Sequence, residues 1–88
     1  ATPALLYVTD EAGQGVFFNQ SWLDYRGRTL TEETGHGWAE GVHPDDRERV
    51  RAQLIAALGQ RERYQLEYRL RRHDGSHQWV LDTGVPRY

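Results

Sequence analysis

From Tyr64 to Arg71 the chain alternates strictly: Tyr64, Leu66, Tyr68 and Leu70 are separated by Gln65, Glu67, Arg69 and Arg71. Only a strand satisfies a period of two. Asp74-Gly75 follows as a hairpin signal, and "QWVLDTGV" returns as the partner strand. A two-residue loop there predicts Leu70 opposite Trp79, Tyr68 opposite Leu81 and Leu66 opposite Thr83, with these apolar residues on one face. The other face then carries Glu67, Arg69 and Asp82 as a surface charge triad.

A different period runs from Pro44 to Leu58. Val50, Leu54, Ala57 and Leu58 fall at i, i+4, i+7 and i+8, which predicts a helix of about four turns ending at Gly59. Upstream, "ALLYVTD" and "GVFFN" are short β-forming runs joined by the glycine-containing "EAGQG", a first hairpin. Asn19 is placed to cap "QSWLDYR", which Gly27 ends, and Thr29 with Glu32 fits a capping box. The predicted order is strand, strand, three helical segments, strand, strand.

The composition narrows what such a domain can do. In 88 residues one domain fits, with a modest core. Thirteen acids against eleven bases give a net charge of -2, too weak and of the wrong sign to draw in nucleic acid. The absence of cysteine excludes disulfides, thiolate metal sites and thiol nucleophiles. No apolar run is long enough to span a membrane, and "ATPALLYVTD" lacks the flanks of a signal peptide, so a cytoplasmic domain is expected, whatever anchors its parent.

"VHPDDRERV" is the one stretch that looks reactive, with His43, Asp45 and Asp46 together. Pro44 at a first helical position, however, puts both aspartates in the first turn, where carboxylates favour the helix dipole. Capping is the better reading, with Asp45 also four residues before Arg49. A metal site lacks a second histidine at helical spacing, and His36, His73 and His77 fall in loops or beside a turn. Ser21 and Ser76 lie in no nucleophile motif and no phosphate-binding glycine pattern occurs, so the domain is not expected to be an enzyme.

Taken together, Asn19, "SWLDYRG" (Ser21 to Gly27), the Gly35 to Trp38 loop, "HPDD" (His43 to Asp46), "LEYRLRRHDGS" (Leu66 to Ser76) and Trp79 resemble the PAS sensor domains, in particular a bacterial subgroup with "HPDD" and "EYR…DGS…W" elements. The resemblance runs from about Leu5 to Pro86. It implies an α+β fold: a nominally five-stranded antiparallel sheet with short helices and one longer helix on one face. In that pattern the fifth strand is central, lying between the first and fourth, and "GVPRY" stops before it. A domain truncated before its last strand is therefore expected, or a strand supplied by a neighbour, or an unusual pairing.

The resemblance also implies a sensory or relay module upstream of an output such as a histidine kinase or diguanylate cyclase, in a two-component or related signal-transduction protein. Flavin members use a cysteine absent here and haem members a histidine on the long helix, where residues 44–58 have none, so neither is expected; a non-covalent flavin stays open. Two readings remain. One is a small-ligand pocket between sheet and helices, lined by Trp22, Tyr25, Trp38, Leu54, Tyr68 and Trp79, although such residues also simply fill a core. The other is a ligand-free homodimerisation or relay module using the outer sheet face.

Overall fold

The computed structural model describes residues 4–88; the first three residues, part of the stretch read for a leader, lie outside it. Strands β1 (Leu5–Thr9) and β2 (Gly15–Phe18) form the first hairpin, followed by helices α1 (Gln20–Arg26) and α2 (Leu30–Glu33). Two 3-10 turns, Gly37–Gly41 and Pro44–Asp46, lead into α3 (Arg47–Gln60), and β3 (Tyr64–Arg71) and β4 (His77–Pro86) close the chain. The α+β fold expected from the sequence is the fold observed.

The local signals act largely as read. Asn19 Oδ1 accepts the Trp22 N–H at 3.0 Å and caps α1, while its amide donates to Ala4 O at 2.8 Å, so one side chain joins the helix start to the chain entering β1. Thr29 and Glu32 form the reciprocal capping box. Gly59 does not end the long helix, which continues to Gln60 and stops at Arg61 in the left-handed region, φ 56°.

The sheet differs from expectation in one pairing. Its order is β2-β1-β4-β3, and β4 runs antiparallel to β3 but parallel to β1, from Leu5↔Asp82 to Thr9↔Pro86. The sheet is thus mixed and four-stranded among the described residues, and an unusual pairing covers the edge of β1 that had been expected to stand open. Pro86 has no N–H to give, and the Arg87 N–H donates to Thr9 O at 2.9 Å in its place.

The second hairpin is out of the predicted register by one residue. The observed pairs are Leu70↔Gln78, Tyr68↔Val80 and Leu66↔Asp82. Arg72 N–H donates to Ser76 O, so three residues, His73 to Gly75, form the loop, with Gly75 in the left-handed conformation at φ 89°. That extra residue moves every side chain of β4 to the opposite face from the one predicted. Trp79 and Leu81 are therefore exposed and Asp82 is buried. The surface triad of Glu67, Arg69 and Asp82 does not exist: Glu67 lies opposite Leu81, and Arg69 turns to Asp46.

The inner face of the sheet meets the helices in an aromatic core. Tyr7 packs against Trp22 and Trp38 with ring centroids 5.2 and 5.4 Å apart, and Phe18 against Trp22 at 5.1 Å. Each such pair adds about 0.5–1.5 kcal/mol beyond simple burial. Within this layer Arg26 of α1 donates to Glu33 of α2 at 2.7 Å and to Arg71 O of β3 at 3.1 Å, a buried ion pair that the sequence reading missed.

The register has an energetic signature. Leu70→Ala, at a fully buried position, is expected to cost about 3 kcal/mol, and Trp79→Ala, on the exposed face, less than about 1 kcal/mol. Urea unfolding of both variants checks this; the predicted register, with both side chains inside, would make Trp79→Ala at least as costly as Leu70→Ala.

Candidate functional site

Between α3, the Gly37–Gly41 turn and the β1–β2 connection lies a cleft of about 460 Å³, a volume within the range of small-molecule sites. It exists because α3 does not seat its whole apolar stripe. Val50 is buried, but Leu54 and Leu58, further along the same face, are only partly covered and line the cleft with Trp38 and Val42. The β1–β2 connection reaches the helix at Gly13, where φ is 81° and a Cβ would stand 2.9 Å from Leu58 Cδ1. Three polar side chains complete the lining: His36, Arg47 and Arg51.

Of the six residues proposed from sequence as pocket lining, Trp38 and Leu54 border this cleft. Trp22 and Tyr68 are fully buried in the core. Tyr25 donates its hydroxyl to Leu70 O at 2.9 Å. Trp79 stands on the outer face of the sheet with the Arg69 guanidinium 5.2 Å from its ring centre. His36, Arg47 and Arg51 had not been picked out, although Arg47 and Arg51 one turn apart on the long helix were a visible signal.

The "HPDD" stretch caps in a different way from that expected. His43 supplies the cap, its Nδ1 accepting the Asp45 N–H at 3.1 Å, with Pro44 at the first position. Asp45 is exposed, and it is Asp46, not Asp45, that approaches Arg49, at 3.7 Å. Asp46 makes no cap. Its carboxylate accepts Arg69 Nη2 at 2.8 Å, Nε at 3.0 Å and the Arg69 backbone N–H at 2.9 Å, and the Arg69 guanidinium holds its pKa well below the usual carboxylate range. In the second hairpin Asp74 Oδ1 accepts from Ser76 N and Oγ and shapes the turn at Gly75.

Asp82 is the unexpected group. It lies fully buried on the inner face, accepting the Tyr68 hydroxyl at 2.5 Å and the Leu66 N–H at 3.3 Å. Burial pushes its carboxyl up to about 7 despite those two donors, and raises the Tyr68 hydroxyl well above its ordinary range. Tyr7 and Tyr64, hydroxyl to hydroxyl at 2.9 Å, are also raised by burial. No group of metal-ligating side chains occurs among the described residues, and no helix there is long and apolar enough to cross a membrane.

A mixed sheet with its helices on one face and a cleft beneath the longest of them defines a class. The family model described as PAS fold matches residues 15–88, and the chain belongs to that family. It is thereby a sensory or regulatory module. An uncharacterized protein of Sinorhizobium fredii (strain NBRC 101917 / NGR234), y4lL, is 40% identical over 86 residues, covering 98% of this chain. The chain spans about 10% of that protein's length.

Two outcomes follow for the ionised groups. Asp46→Ala is expected to cost about 2–3 kcal/mol, more than the loss of a cap, and Arg69→Gln in the same background should add little; a double-mutant cycle by urea unfolding measures the coupling. Asp82, whose folded pKa is raised, supports stability fully below its unfolded pKa near 3.9, and that support falls as pH rises toward about 7. Asp46, with a depressed pKa, acts oppositely, its contribution being lost only as pH falls below about 4. The difference in unfolding free energy between wild type and Asp82→Asn should therefore fall between pH 4 and 7, by at most about 1.4 kcal/mol per pH unit. A flat difference would place a permanently neutral or permanently ionised group at Asp82.

Proposed function

We propose that this PAS domain is the input module of a bacterial signal-transduction protein, taking a small organic ligand into the cleft under α3 and passing its occupancy to an output domain. The observation that carries the reading is the uncovered half of the α3 stripe: Leu54, Leu58 and the exposed Ile55 border a mostly apolar space that a ligand would fill. The helix is held firmly at its start by Asp46 and Arg69, so filling the cleft would act on its later turns and on the β1–β2 connection at Gly13. A histidine kinase or diguanylate cyclase in a two-component or related pathway is the kind of parent this implies, working in the cytoplasm whether or not the parent is anchored.

The domain itself is proposed to be non-catalytic. Its buried carboxyl, Asp82, hydrogen-bonds to Tyr68 within the core and does not border the cleft. Covalent flavin and haem are disfavoured by the lack of cysteine and of a histidine on α3.

A second reading, homodimerisation or partner docking without a ligand, is favoured by a separate observation. Phe17, Trp79 and Leu81 are exposed large apolar residues, Phe17 on β2 and the other two on the outer face of the sheet. Trp79 and Leu81, two residues apart on β4, form the centre of the candidate contact surface, since neighbouring exposed apolar side chains favour association.

Native mass spectrometry and an absorption spectrum of the purified domain separate the two. A retained small molecule or chromophore, lost in Leu54→Trp, is expected for sensing. A ligand-free dimer that Trp79→Ser dissociates would instead establish the second reading.

A further inference from the structure

We propose that the cleft selects an amphipathic organic anion, a single carboxylate on an apolar body, with the charge held between Arg47 and Arg51. This rests on the ligand-sensing reading and specifies the chemistry of the same site. The lining contains two arginines and a histidine but no carboxylate. Four other guanidiniums are neutralised by buried acids: Arg26 and Arg28 share Glu33, and Arg49 and Arg69 share Asp46.

The two at the cleft are not neutralised. Arg47 donates Nε to Val42 O at 3.0 Å and Nη2 to Glu40 O at 3.3 Å, which fixes the guanidinium on neutral carbonyls and leaves donors over. Arg51 has no ion pair or side-chain hydrogen bond among the described residues. The two stand four residues apart on α3, about 6 Å along its axis, where like charges destabilise a helix. An anion between them turns that repulsion into attraction, and a planar carboxylate matches the guanidinium fork.

The rest of the lining limits the ligand further. Val50, Leu54 and Leu58 offer nothing to a second charge, so a polyanion would bury charge against hydrocarbon. A cation would meet two guanidiniums. His36 lies within reach of Gln14, Nε2 to Nε2 3.4 Å, and adds a polar group without a negative charge.

Three probes sharing one ten-carbon body, decanoate, decanol and decylamine, test this on the 88-residue chain, with calorimetry or tryptophan fluorescence, to which Trp38 at the cleft contributes, as the readout. Decanoate is expected to bind at least about tenfold tighter than decanol and decylamine weakest, the gap narrowing as salt rises. Arg51→Gln, at an exposed helix position, should bring decanoate down to the affinity of decanol, and Arg51→Lys should restore part of the difference. Equal binding of the three probes, or an unchanged preference in Arg51→Gln, overturns the anion inference while leaving apolar-ligand sensing intact. Binding of none of them overturns both.

Discussion

One carboxylate decides where the long helix sits. Asp46 ends the turn before α3 and accepts three hydrogen bonds from Arg69 of β3, while Arg49, a turn into the helix, donates to Glu67 O at 2.9 Å and His43 N–H to Arg69 O at 2.9 Å. These contacts clamp the N-terminal end of α3 to an outer strand of the sheet. The far end is held more lightly, by the approach of Gly13 to Leu58 and by Tyr88, whose hydroxyl reaches Leu58 O while Arg61 lies over its ring. A helix pinned at one end and lightly held at the other leaves a wedge of space, and that wedge is the cleft. Charged hydrogen bonds in a partly buried place are strong enough to fix such a geometry where surface pairs are not.

The core beneath is built around aromatic rings, with two buried acids in the layer: Glu33, paired with Arg26, and Asp82, which has no cationic partner among the described residues. Asp82 sits where a hydrophobic residue would ordinarily be, on one of the two inner strands and facing the helices. Burying a carboxyl is costly unless it is neutral or well bonded, and here both remedies are present: two donors and a pKa raised to about 7. The neighbouring Tyr7–Tyr64 pair adds two more hydroxyls to this part of the core. Proton uptake by the core is thereby tied to folding, independently of whether the cleft is filled.

The elements were legible where the deciding interaction is local. Asn19 and Thr29 cap groups three residues away, so their patterns appear in the sequence as they do in space. The second hairpin was legible as a hairpin but not in register, because Asp74-Gly75 serves both two- and three-residue loops. Trp79 and Leu81 are also more apolar than Asp82, so hydrophobic alternation pointed the wrong face inward. Long-range partners left no periodic trace: Asp46 with Arg69, and Arg26 with Glu33 and Arg71 O, are choices made by the packed fold. The cleft was half visible, through Trp38 and Leu54; its arginines were hidden in a helix face that reads as ordinary solvated charge.

The parallel pairing of β4 with β1 bears on how the chain acquires this shape. Both hairpins and the capped helices close over short loops, but Leu5 meets Asp82 from opposite ends of almost the whole sequence. Joining them fixes nearly every residue between, an entropic cost that the neighbouring turns do not carry. The sheet is therefore two locally assembled halves joined along a single seam. Asp82 lies on that seam, so the group whose proton follows folding is also placed at the pairing of longest sequence separation in the sheet.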